Sequence, residues 1–351
     1  QRQLRSLGER VAEIVAPVIG ECEKSPAHAN APLLGLQLGP YGHFNVTLAG
    51  KPWLSGGEVR VGAFCSSCSG ANSLESAPPV TSTGRDAIGE YAETRYTWSG
   101  KAEAGTAIIE TAFRYYADAN GTIVFEQRFP EAVPLEAFRA HPSASEGAVT
   151  LFPGFARNDG GPSDRLACAA YHGVFPQLRG CTVPDYAESH QGGVPLVVYD
   201  PADKLLPMTI FAPLSTPKAQ HMTTDKYTFG AGVKATAAQI PAGWAQTWML
   251  SGSLGINEGF QAWGDRVLAL SGKHRADPYR DATHATIGYW TDNGGYYHYS
   301  TGNGTQQAAN GSYVYARSYE QVLPEVKASH DLTITLTLTL TLTLTLTLTL
   351  T

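Results

Sequence analysis

The punctuation of this chain constrains its fold more than any other feature. From Pro32 to Lys273, short apolar or alternating runs are cut by turn residues about every 8–12 positions. Runs that short are strands rather than helices. The candidates are Leu33–Leu38, Phe44–Ala49, Glu58–Phe64, Tyr91–Trp98, Ala107–Tyr116, Thr122–Phe129, Val149–Phe152, Val194–Tyr199, Met208–Ala212, Gly232–Ala237 and Thr247–Gly252. Gly50–Lys51–Pro52 and Asp118–Ala119–Asn120–Gly121 read as turns, the second joining two hairpin strands. Many short strands in series predict a mainly β chain built around a large antiparallel sandwich. The 37 Gly and 22 Pro supply the turns, and 43% hydrophobic residues supply a core.

The grammar changes at both ends. Leu4, Leu7, Val11, Ile14, Val15 and Val18 recur at helical spacing, so residues 1–30 are expected to hold a short helix and a linker before a sandwich domain at 31–275. Gly259–Ser271 and Tyr319–His330 are helical, with a strand over Ala285–Tyr299 between them. Strand followed by helix reads as the first βα unit of an α/β domain, over 276–331. From Leu332 to Thr351, apolar residues and Thr alternate without charge, Gly or Pro. The 332–351 tail is either a long amphipathic strand able to assemble or a translated simple repeat. The chain is expected to be incomplete, broken off after that first βα unit.

The net charge of −6, without a long Lys/Arg cluster, argues against a nucleic-acid partner. No stretch reaches the ~18 apolar residues of a membrane-spanning helix. The five cysteines are Cys22, Cys65, Cys68, Cys168 and Cys181. The Cys65/Cys68 pair lacks the second CxxC of a zinc ribbon, and Cys168 and Cys181 bracket a hairpin and can pair; loop disulfides, free thiols and a metal site all stay open. Sequons begin at Asn45, Asn120, Asn303 and Asn310. With sparse charge and possible disulfides they point to a secreted or vacuolar-pathway protein.

A series of short signatures runs through the β region in one order. Gly84–Arg85–Asp86–Ala87–Ile88–Gly89–Glu90–Tyr91 comes first, then Val124–Phe125–Glu126–Gln127–Arg128–Phe129–Pro130 and Leu151–Phe152–Pro153–Gly154–Phe155. Gly193–Val194–Pro195–Leu196–Val197–Val198–Tyr199–Asp200, Ala212–Pro213–Leu214, Ile240–Pro241–Ala242–Gly243–Trp244 and Trp263–Gly264 follow. The last is Ile287–Gly288–Tyr289–Trp290–Thr291–Asp292–Asn293–Gly294–Gly295–Tyr296–Tyr297–His298–Tyr299. This order, from about Pro32 to His330, resembles algal and protist proteins similar to α-galactosidase and raffinose-synthase-type glycoside hydrolases. The resemblance implies an N-terminal β-supersandwich followed by a (β/α)8 catalytic barrel, here represented by a single βα unit.

The resemblance also implies a sugar site. Barrel enzymes carry their ligand groups at the C-terminal ends of the strands. Asp292 and Asn293 fall where the strand beginning near Ala285 ends, and a carboxylate there can accept hydrogen bonds from adjacent sugar hydroxyls. Trp290, Tyr296 and Tyr297 can stack on a pyranose face, and His298 can add a polar contact. Read without the resemblance, Asp292–Asn293–Gly294 is a turn and the aromatics are core. A glycosidase needs two carboxylates across the scissile bond. No second one can be placed beside Asp292, so no catalytic residue is assigned and the chain is expected to lack hydrolase activity. The rival readings are a non-catalytic carbohydrate-binding sandwich with Trp53, Trp98 or Trp244 as platform, and a structural surface protein assembled by its tail. The sequence carries no Gly-x-Ser-x-Gly elbow, no phosphate loop and no HExxH, and it calls for no cofactor or metal.

Overall fold

The computed structural model describes residues 32–102, 105–117, 119–134, 148–172, 177–185, 195–214, 220–224, 228–234, 237–280, 306–307, 313–314 and Pro324. The chain divides into two compact units, 1–273 and 274–351. The described part is mainly antiparallel β with one longer helix at its C-terminal side. The tail and the region of the expected barrel strand lie outside the described residues.

The first unit contains twenty-one described strands. They are β1 (Leu34–Leu38), β2 (Phe44–Leu48), β3 (Lys51–Gly56), β4 (Arg60–Val61), β5 (Phe64–Cys65), β6 (Glu75–Ser76) and β7 (Val80–Arg85). Then come β8 (Glu90–Ala102), β9 (Gly105–Tyr116), β10 (Thr122–Phe129), β11 (Val133–Pro134), β12 (Thr150–Leu151), β13 (Gly154–Ala156) and β14 (Ala167–His172). The series ends with β15 (Gln177–Thr182), β16 (Leu196–Tyr199), β17 (Pro207–Pro213), β18 (Gln220–Thr224), β19 (Thr228–Val233), β20 (Gln239–Ile240) and β21 (Trp244–Leu254). A six-stranded sheet has the order β1-β2-β3-β13-β19-β18, and a ten-stranded sheet runs β15-β14-β16-β17-β21-β10-β9-β8-β6 with β7 also on β8. The helix α1 (Ile256–Leu270) follows β21 directly.

Period-two patterning explains why the sheets face each other. On β2, Phe44, Val46 and Leu48 are buried while Asn45 is exposed. Phe113 of β9, Phe125 of β10 and Phe211 of β17 point inward from the larger sheet to meet Phe44 and Phe155 of the smaller. Phe125 sits at the centre, with ring centroids 5.6 Å from Phe113, 5.7 Å from Phe44 and 5.9 Å from Phe155. These are tilted or edge-to-face pairs, which suit the ring quadrupole and fill the space between pleated surfaces. Trp53 and Trp98 are buried too, and each indole donates to a threonine hydroxyl: Trp53 to Thr209 of the facing sheet and Trp98 to Thr111 of the neighbouring strand β9. A buried Trp N–H needs such an acceptor.

β10 is buried on both faces. Its inward residues meet the smaller sheet, and Val124 packs outward in a second cluster with Tyr116, Met249, Trp263 and Val267. That cluster is where α1 lies on the sheet. A third small cluster, Met208, Ile210 and Ala212 with Phe260 and Trp263, continues the seam along β17. Arg266 of α1 ties the helix to the β9–β10 turn, its Nη2 donating to the Ala119 carbonyl at 2.9 Å.

Four local expectations change. The hairpin turn expected at Gly50–Lys51–Pro52 lies one residue earlier, at Ala49–Gly50, where both residues have positive φ of 49° and 75°. That two-residue turn matches strand twist, and Pro52 sits inside β3 beside the register shift at Val46/Thr47. The single strand expected over Glu58–Phe64 is the tight β4–β5 hairpin, turned by Gly62 at φ 57°. The strand expected at Gly232–Ala237 is β19, which ends at Val233. β7, Val80 followed by Thr, Ser, Gly and Arg residues that are mostly exposed, carries no periodicity and was not expected.

Candidate functional site

The residues proposed from the sequence for sugar contact, Trp290, Asp292, Asn293, Tyr296, Tyr297 and His298, lie outside the described residues. The described candidates are therefore those of the first unit. Cys168 and Cys181 occupy facing positions of the β14–β15 hairpin and are joined by a disulfide, as are Cys65 at the end of β5 and Cys68 in the loop that follows. Among the described residues no group of three His, Cys, Asp or Glu side chains is placed to hold a metal.

The densest polar constellation lies on the outer face of the larger sheet. Cross-strand register builds it. Glu93 of β8 faces Arg114 of β9, Arg95 faces Ala112, and Ala112 faces Glu126 of β10. Because Ala112 is small, Arg95 reaches over it to Glu126, with Nη2 3.0 Å from Oε1. Arg95 also contacts Glu93 at 3.0 Å and Glu110 at 3.2 Å, and Arg114 contacts Glu93 at 2.6 Å and Glu126 at 3.1 Å. Arg114 further lies over the Tyr91 ring, and the Tyr116 hydroxyl donates to Asp86 Oδ2 at 2.7 Å.

The electrostatics of this group decide its chemistry. Burial on its own pushes the Glu93 carboxyl up, but the Arg114 hydrogen bond and the charges of Arg114 and Arg95 outweigh it, so Glu93 titrates below the ordinary carboxylate range. The guanidinium of Arg95 is penalised by burial, yet its contacts to Glu126 and Glu93 hold its pKa above the ordinary arginine value. Burial and the Asp86 carboxylate raise the Tyr116 phenol far above its usual range. Glu93 therefore stays ionised, and Glu110 and Glu126 are engaged by the same two arginines. A general acid needs a carboxyl kept protonated near neutrality, which Glu93 does not provide. The constellation ties β8, β9 and β10 together rather than serving as a glycosidase pair.

The aromatic platform proposed for a binding sandwich fails at two of its three residues. Trp53 and Trp98 are enclosed in the core, and Trp244 is half-buried against Phe129, ring centroids 5.9 Å apart. Trp98 falls on an inward position of β8, whereas Trp53 is buried at a bulge of β3, between Pro52 and Leu54. Among the described residues of the first unit, Tyr41 is an exposed aromatic, 68% accessible and at φ 56° in the turn between β1 and β2. Sequence reasoning passed over Tyr41; its position between two glycine-containing turns, Gly39–Pro40 and Gly42, is the signal that marks it as turn rather than strand. His43 and His274 are exposed.

Three of the sequence signatures fall at joints of the sandwich, while others, such as Val124–Phe129 in β10, lie within strands. Asp86 in Gly84–Tyr91 caps the β7–β8 turn through the Ile88 N–H at 2.9 Å. Leu151–Phe155 carries the chain from β12 to β13 through a cis Phe152–Pro153 bond. Ile240–Trp244 makes the β20–β21 turn, where Gly243 has φ 75°. Glycine at these turns meets a backbone requirement.

No family model matches the chain, and no curated protein matches it. Among solved structures, a crystal structure of beta-arabinopyranosidase is similar over 63% of this chain and 38% of its own, with a TM-score of 0.35 and 9% identity. The match thus spans well under two-thirds of that enzyme.

Proposed function

We propose that this chain carries the N-terminal β-supersandwich of a glycoside hydrolase of the α-galactosidase-like kind, acting on α-linked sugars. The sugar is contacted through Trp290, Asp292, Asn293, Tyr296, Tyr297 and His298, with Asp292 accepting from two neighbouring hydroxyls and the aromatics stacking on the ring. The observation that carries the reading is the signature order across Pro32–His330, several members of which coincide with turns and crossings of the sandwich. Those members specify a scaffold; the aromatic-rich segment at Ile287–Tyr299 is the part left to specify a ligand. No catalytic role falls to the described carboxylates of β8–β10, which are held by arginines.

The rival reading, a binding sandwich built on tryptophan platforms, loses support because Trp53 and Trp98 face the core. A panel of immobilised α- and β-linked glycosides separates the two. Retention of the chain on α-galactosides, abolished by Asp292→Ala, supports the proposal. Retention unaffected by Asp292→Ala but abolished by Tyr41→Ala moves the site to the sandwich and defeats it. An aryl α-galactoside should not be turned over measurably by this chain.

A further inference from the structure

The described sequons differ in what the fold explains. At Asn120–Gly121–Thr122, Asn120 has φ 56° and Gly121 φ 76°, at the end of the connection between β9 and β10. The Asn120 carbonyl accepts the Leu34 N–H at 2.9 Å, and a Cβ on Gly121 would stand 1.9 Å from the Leu34 carbonyl oxygen. Asparagine and glycine are the residues such a turn demands, so the fold accounts for that triplet without any modification.

Asn45–Val46–Thr47 has no such account. Asn45 lies in the middle of β2, flanked in register by Gln37 of β1 and Ser55 of β3. Asparagine is depleted in strands because its side chain competes with the ladder for local hydrogen bonds. Here the side chain is exposed on the outward face, and among the described residues its amide has no hydrogen-bond partner. Phe44 and Val46 hold the neighbouring positions in the core, so strand register fixes Asn45 outward. Thr47, two residues on, projects from the same face. Disulfides such as Cys65–Cys68 and Cys168–Cys181 form and persist in oxidising compartments, the secretory lumen among them.

We infer that Asn45 is an N-glycan acceptor. The side-chain amide nitrogen forms a bond to C1 of the reducing-end sugar of a polyprenyl-diphosphate-linked oligosaccharide. The C1–O bond to phosphate breaks, the lipid diphosphate leaves with the electron pair, and the amide proton passes to base. The glycan then covers the polar outward face of the smaller sheet around Gln37 and Ser55 without disturbing the core. This inference is independent of the sugar-site reading above.

The test expresses the full chain behind a secretion leader in a eukaryotic host and maps the peptide containing Asn45 by mass spectrometry. The expected result is an oligosaccharide on Asn45 that peptide N-glycosidase removes, leaving aspartate there. Asn45→Gln and Thr47→Ala abolish it, and Thr47→Ser retains it. The transfer accompanies entry into the lumen, so chain retained in the cell is scored in the same way. An unmodified Asn45 peptide in either pool overturns the inference, and so does modification that survives Thr47→Ala.

Discussion

Replacing Arg95 with methionine tests the claim that the charged face of β8–β10 is a structural clamp. The substitution keeps the aliphatic stem and removes the guanidinium. Glu93 and Glu126 then retain only Arg114, and Glu110 loses its ion-pair contact at 3.2 Å. Exposed ion pairs are worth up to about 1 kcal/mol, whereas breaking a fully buried pair costs about 3–5 kcal/mol. The Arg95 side chain is 22% accessible and Glu93 10%, which puts the loss between those limits, at about 2 kcal/mol. With an m-value of about 3 kcal/mol/M, the urea midpoint falls by about 0.7 M at pH 7. The effect also has a pH signature. The folded pKa of Glu93 is depressed, so its contribution is fully present above the unfolded value of about 4.3 and is lost as pH falls through the folded value. As pH falls through that depressed value, the gap between wild type and variant should shrink. A shift below about 0.2 M at pH 7, or an undiminished gap in acid, refutes the clamp.

Phe125→Ala empties the centre of the aromatic core and should cost about 4 kcal/mol in urea unfolding, with Phe125→Leu costing about 1.5 kcal/mol; equal losses would contradict the packing described. The double variant Cys168→Ser/Cys181→Ser removes a cross-link with a sequence separation of 13, and calorimetry should show about 3 kcal/mol of lost stability, matched by the wild type under reductant. An unchanged melting temperature in both would show that the hairpin gains nothing from the bond.

Much of the sandwich was legible because period-two patterning and turn chemistry agree. Thr122–Phe129 shows it best: an Asn-Gly turn precedes alternating residues, and the strand has those bounds in the structure. β3 was missed because Pro52 reads as a breaker, whereas in the structure it sits in the strand beside a bulge at Trp53. β7 was missed because its Thr and Ser side chains are exposed on both faces, so burial imposes no period on them. The charged face was illegible for a different reason. Glu93, Arg95, Glu110, Arg114 and Glu126 are spread over thirty-four residues of chain, and only the pairings β8–β9 and β9–β10 bring them together across Ala112. The fate of Trp53 and Trp98 likewise depended on which strand face met the second sheet. The sugar contacts rest on a motif at the end of an expected strand, and Asp292 and its neighbours lie outside the described residues.

The most direct test of the central claim is a calorimetric titration of the full chain with methyl α-galactoside, run beside Asp292→Ala. Charge-assisted hydrogen bonds are worth about 1.5–3 kcal/mol each. The account predicts saturable binding that weakens at least tenfold in Asp292→Ala, while both proteins unfold at the same urea concentration. Absence of saturable binding, or equal affinity in the variant, would contradict it.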